Sequence, residues 1–174
     1  EVAYRYARGV DRLDAEIMVG GDEGPGEVAV LRLRGELASH ANSVAVPLLL
    51  PDTPVVAFWP GAAPAVPSDD LLGRHAQRRI TDASAASDPI AELQIRRTGY
   101  LPGDTDLAWA RLTPWRAVLA SVFDQEVGPV SAITVTGEDA NPSVPLLAAW
   151  LGSALDCPVD VQLDAGPGLT SVVL

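Results

Sequence analysis

The chain has 174 residues, 48% of them hydrophobic, which suits one compact domain or two small ones burying roughly 70% of their unfolded surface. Twelve basic residues against 23 acidic ones give a net charge of -11, and every basic residue is arginine; a field this negative argues against nucleic acid, and the lack of lysine removes Schiff-base chemistry and the usual phosphate-loop lysine. No apolar run approaches the ~20 residues of a membrane span and no signal-like leader is present, so a soluble, cytoplasmic protein without membrane contact is expected.

Near period-2 alternation predicts strands in DRLDAEIMVG (11–20) and EVAVLRLR (27–34), with the Gly- and acid-rich GGDEGPG as the loop of a hairpin. A helix is predicted from Glu36 to Val46, packed by Leu37, Ala41, Val44 and Ala45 and ended by Pro47. VVAFW (55–59) reads as a strand buried on both faces, and the order strand, helix, strand suggests a parallel pair. A Pro-rich loop, WPGAAPAVPSDD, precedes a short helix from Leu71 to Gln77 and a short strand in RRITDAS (78–84). Asp88 is placed to cap a helix over 89–98, with Pro89 in its first position and Arg96, Arg97 and Gly99 at its end. Next, Asp104 or Thr105 caps a turn through Arg111, and Thr113-Pro114 opens a helix to about Gln125 with Trp115, Val118, Leu119, Val122 and Phe123 on one face. A strand at 130–137, a helix from Val144 to Leu155, a strand at 158–164 and the start of another in TSVVL complete the pattern. This order predicts an α/β fold of mixed sheets with packed helices in two small units: residues 1–98, a linker at 99–105, and 106–174. The start at Glu1 and the apolar end at Leu174 suggest a piece of a longer protein, its second unit cut short.

Few residues invite catalysis. His40 and His75 lack a partner at metal-ligand spacing, no G-x-S-x-G elbow is present, and the single Cys157, beside Pro158, reads as an inert buried thiol. The glycine cluster at 20–26 carries Asp22, Glu23 and Glu27, which repel a phosphate, so no cofactor and no metal are expected. One cluster could do chemistry: Asp69, Asp70, Arg78, Arg79 and Asp82, where arginine could fix an anion and a carboxylate act as base. The plainer reading of the same residues is ion pairs and caps around the Pro-rich loop. The stretch DTDLAWARLTPWR (104–116) interleaves Trp109 and Trp115 with Arg111 and Arg116. Trp and Arg are enriched at the energetic centres of protein interfaces, so Trp109, Arg111 and Arg116, with Trp59 second, are either structural or contact residues; Trp115 reads as core.

LLLPDTPVVAFWPG (48–61), RRITDAS (78–84) and GDTDLAWARLTPWR (103–116) followed by FDQ (123–125) together resemble the OpcA family, the glucose-6-phosphate dehydrogenase assembly proteins of bacteria. The match is dense from about Leu48 to Gln125; Phe58 departs from it, standing where members commonly carry a second tryptophan before the proline. The resemblance implies a non-enzymatic protein that binds glucose-6-phosphate dehydrogenase and promotes its active oligomer or activates it, supporting NADPH supply through the oxidative pentose phosphate pathway. It assigns no individual residues, and it leaves self-association open. The contact set is therefore a physical choice from the matching motifs: Trp109, Arg111 and Arg116 first, then Trp59, Arg78, Arg79 and Asp82. The alternative is an enzyme or sensor that takes a sugar phosphate at Arg78, Arg79 and Asp82.

Overall fold

The computed structural model describes residues 2–7 as backbone, and 10–20, 26–125 and 128–174. The fold is α/β, with three small sheets and several short helices among the described residues, and the chain divides into two compact units. The first holds Glu1–Val55 and Asp69–Gln77. Its sheet has the order β1-β3-β2, with β1 (Val2–Ala7) parallel and β2 (Arg12–Val19) antiparallel to β3 (Glu27–Arg34). The hairpin partners therefore pair as the alternation predicts, with Leu13 opposite Leu33 and Ala15 opposite Leu31; most of the predicted loop between them, 21–25, lies outside the described residues. Leu31, Leu33 and Ala41 are buried together, and Leu37, Ala38, Val44 and Leu72 pack on them.

The helix expected from Glu36 to Val46 is broken up. A 3-10 turn spans Gly35–His40, α1 is limited to Ala41–Ala45, and a second 3-10 turn covers Val46–Leu48. The Ser39 hydroxyl donates to the Glu36 carbonyl at 2.7 Å, the local bond that competes with helix formation, and Pro47, although Val46 before it stays in α geometry, has no N–H to extend the ladder. Instead of the predicted helix at 71–77 there is a 3-10 turn at Gly73–His75, whose approach is fixed by Asp70 accepting from the Leu72 and Gly73 N–H groups at 2.8 and 3.0 Å.

The second unit comprises Val56–Ser68 and Arg78–Leu174. One sheet runs β4 (Val56–Phe58), β5 (Arg78–Thr81), β6 (Asp104–Asp106), all parallel. Two expectations fail here. β4 pairs with β5, not with β3, and it is an edge strand, with Val56 and Phe58 56% and 50% exposed instead of buried on both faces. After β5, α2 (Pro89–Thr98) forms where predicted: Asp88 accepts from the Ala91 N–H at 3.0 Å, satisfying one of the orphan donors of the first turn.

The jointed helix is present as α3 (Leu107–Arg111) and α4 (Thr113–Val122), but its caps differ from those predicted. Asp106 caps α3, while Asp104 and Thr105 belong to β6. Thr113 is the first residue of α4 and provides no side-chain cap. The predicted apolar face of α4 is also only partly covered: Leu119 is buried and Trp115 packs on the core, yet Val118 is 63% exposed. A second sheet has the order β8-β7-β9, with β7 (Ile133–Glu138) parallel to β8 (Val159–Asp164) and antiparallel to β9 (Leu169–Val173). α5 (Ser143–Leu155) packs on it through Val144, Leu147, Ala148 and Leu151, which join Leu112, Leu119, Ile133 and Val135 in the largest buried apolar cluster described. Cys157 packs against this cluster but is only half-buried.

Candidate functional site

In the second unit the carboxyl ends of β4, β5 and β6 carry Trp59, Asp82 and Asp106, and open parallel sheets place their functional groups at such ends. The backbone N–H of Trp59 donates to the Ile80 carbonyl at 2.9 Å, which ties the half-buried tryptophan to the sheet. Asp106 organises the middle of this edge. Its carboxylate accepts from the Thr81 hydroxyl at 2.6 Å, from the Ala83 N–H at 3.0 Å and from the Ala108 N–H at 2.9 Å, so one buried side chain links β5, the turn after it and the start of α3. A buried charge is tolerated when its lone pairs are matched in this way.

Beside it, Asp82 and Arg111 form a two-pronged pair, Nη1 to Oδ1 and Nη2 to Oδ2, each 2.7 Å, and Arg111 Nη1 also reaches the Ser84 hydroxyl at 3.1 Å. The hydrogen bonds from Arg111, and then its charge, hold the Asp82 carboxyl below the usual carboxylate range against the opposing effect of partial burial. The same bonds raise Arg111. Asp82 is largely enclosed, whereas the Arg111 side chain stays 49% exposed. Arg116 lies over the Trp109 ring, its guanidinium carbon 3.9 Å from the ring centroid, a cation–π contact that orders both half-buried groups. Arg116 Nη2 is also 3.1 Å from Thr113 Oγ1.

The predicted residues thus separate into two sets. Trp109, Arg111, Arg116 and Asp82 come together around β5, β6 and the jointed helix, with Trp59 at the end of the neighbouring strand. Arg78 and Arg79 do not join them. They open β5, and Asp82 follows its far end, about 13 Å along the strand from Arg78. Consecutive strand residues also point to opposite faces: Arg78 is exposed, while Arg79 is buried and bound to Asp104 and to the Pro102 carbonyl. Arg78, Arg79 and Asp82 therefore do not converge on one anion, and the sugar-phosphate reading loses its geometric basis.

Sequence reasoning missed Asp106, whose partners Thr81 and Ala83 lie 25 and 23 positions upstream. A short signal existed, an aspartate two residues before a helical Ala108, but Asp104 and Thr105 offer the same chemistry. Also missed was a cavity of about 690 Å3 within this unit, lined by Arg97 and Gln94 of α2, Tyr100, Trp109, and Pro145 and Leu146 of α5 among others.

Among the described residues no group of three or more His, Cys, Asp and Glu side chains is arranged to hold a metal ion, and no helix is long and apolar enough to cross a membrane. Residues 2–98 match the family model described as glucose-6-phosphate dehydrogenase subunit N-terminal domain, and residues 102–174 match that of the corresponding C-terminal domain. No curated protein and no solved structure gave a match.

Proposed function

The chain belongs to the OpcA family of glucose-6-phosphate dehydrogenase subunit proteins, and from that premise we propose that it is a non-catalytic regulator which binds the dehydrogenase and promotes its active oligomer. It would serve NADPH supply by the oxidative pentose phosphate pathway in a bacterial cytoplasm. The observation that carries this reading is the pair of family matches, which together span nearly the whole chain.

The residues we assign to the contact are those at the carboxyl edge of the parallel sheet. A regulator acts by binding one state of its partner better than another, and this needs groups already held in place. Arg116 on Trp109 and Arg111 on Asp82 meet that need, because each arginine is fixed within the chain while Arg111 keeps half its surface in water. Trp59 extends the same edge.

Dehydrogenase activity against glucose 6-phosphate concentration, with the oligomer size followed by light scattering, tests the proposal on the enzyme of the same organism. Adding this protein is expected to lower half-saturation or to shift the dehydrogenase to a larger assembly. Arg116→Ala is expected to weaken the effect by about 10- to 30-fold, the range of an interface hot spot near 2 kcal/mol. No change in activity and no complex at micromolar concentration would overturn the function, and an unchanged response to Arg116→Ala would overturn the assignment of the surface.

A further inference from the structure

The cavity of the second unit has the dimensions of a binding site. Its volume of about 690 Å3 falls in the range of sites for small organic ligands and is larger than any one amino-acid side chain. One wall comes from the segment between Pro67 and Arg97 and most of the other from Asp104 to Ala149, and these are matched by different family models although they fold into one unit. Most of the lining is apolar, including Leu93, Pro145, Leu146 and the Trp109 ring that Arg116 holds in position.

The polar groups that remain decide what fits. The carboxylates in the wall are already used: Asp106 by Thr81, Ala83 and Ala108, and Asp104 by Arg79 and the Leu101 N–H. Donors are left over. Arg97 is exposed, and its recorded contact is a long 3.5 Å approach to Gln94. Arg96 spends its terminal nitrogens on the Pro64 and Ala63 carbonyls and on Glu92, but its Nε–H is buried without a partner. A ligand must therefore bring acceptors to the arginines and an apolar surface to the rest. A sugar phosphate fails the second requirement, because its hydroxyls would be desolvated against leucine, proline and tryptophan.

We propose that this cavity binds an amphipathic organic acid, a flat apolar body carrying one carboxylate, with the body against Trp109 and Leu146 and the carboxylate on Arg97. Aromatic stacking supplies contact area and the guanidinium supplies the charge-assisted hydrogen bonds. The site holds or fails independently of any contact with the dehydrogenase, since its test uses this protein alone.

The test is calorimetric titration with 2-naphthoate and with its neutral analogue 2-naphthylmethanol. One equivalent of naphthoate is expected to bind, about tenfold or more tighter than the alcohol, the effect of one charge-assisted contact. Arg97→Gln, at an exposed position, is expected to bring the acid to within about twofold of the alcohol, and Leu146→Trp, which narrows the cavity where the apolar body would lie, to weaken both. Absence of naphthoate binding up to millimolar concentration overturns the proposal. So does equal binding of acid and alcohol, or a naphthoate affinity that Arg97→Gln leaves unchanged. Should Leu146→Trp fail to fold, the Arg97→Gln comparison still decides.

Discussion

At Asp82 charge state and folding are linked. Its carboxylate receives both prongs of Arg111, 29 positions later in the chain, and is held below its ordinary range by those hydrogen bonds first, with partial burial acting against them. A depressed carboxylate contributes stability above its unfolded value, near pH 4, and loses that contribution as pH falls through the lower folded value. Because half of Arg111 is in water, the pair belongs near the top of the surface range, about 1 kcal/mol. Asp82→Asn is thus expected to lower urea stability by about 1 kcal/mol at pH 7, with the gap to the parent closing below about pH 4. A gap that persists undiminished at pH 2.5 would mean that the asparagine harms packing and not charge. The same residues mark how far the site is legible in sequence. Trp109, Arg111 and Arg116, proposed for contact, stand out by residue type alone, since few roles use tryptophan and arginine so densely. Asp106 does not, because its importance comes from Thr81 and Ala83, and only the pairing of β5 with β6 brings them together.

Among the elements, α2 is the most legible, because its signals are local: Asp88 caps it, Pro89 follows, and Arg96 and Arg97 lie in its last turn. Even so, Gly99 ends it for a different reason from the one predicted. Its φ is -96°, so no left-handed geometry calls for glycine; instead an added Cβ would lie 2.9 Å from Val66 Cγ2 and 3.0 Å from the Ala65 carbonyl oxygen. The segment before β5 passes too close for a side chain. Gly to Ala in an ordinary helical setting gains about 0.5–1 kcal/mol, whereas overpacking costs about 1–3 kcal/mol, so the contact with backbone sets the sign. Gly99→Ala is expected to destabilise by about 1–2 kcal/mol in urea unfolding, as much as or more than the ~1 kcal/mol of a lost cap at Asp88→Ala. A gain in stability would show that the Ala65–Val66 backbone yields freely. The elements read least well are those decided by distant partners. VVAFW looks like a central strand, yet β4 lies at an edge, and no run of apolar letters states how many neighbours a strand has. The helix at 36–46 breaks up where Ser39 bonds back to Glu36, and it ends at Pro47, which has no N–H to carry it further.

For the molecule as a whole, the core and the site have different boundaries. The family models meet between residues 98 and 102, and the large apolar cluster, from Leu112 through Leu151, lies entirely beyond that point. The parallel sheet does not respect it: β4 and β5 come before, β6 after, and both the Asp106 bonds and the Asp82–Arg111 pair cross it. A piece holding residues 102–174 keeps β7, α5 and their buried leucines, and should therefore remain folded around them. It loses the partners that fix β6 and the start of α3, a five-residue helix too short to persist without tertiary support. Hydrogen exchange on the whole chain and on this piece separates the two contributions. Amides of Val135, Leu147 and Leu151 are expected to stay protected in both, while those of Ala108 and Leu112 lose protection in the piece by about 10- to 100-fold, the equivalent of about 1–3 kcal/mol. Residues 99–105 acting as a linker between independent units would predict the opposite, undiminished protection at Ala108. In that case α3 would be held by its contacts with α5, and the contact surface proposed for the dehydrogenase would need nothing from residues before 102 except Asp82 and Trp59. Loss of protection instead makes the sheet that joins the two family-matched segments the support on which Trp109, Arg111 and Arg116 are held.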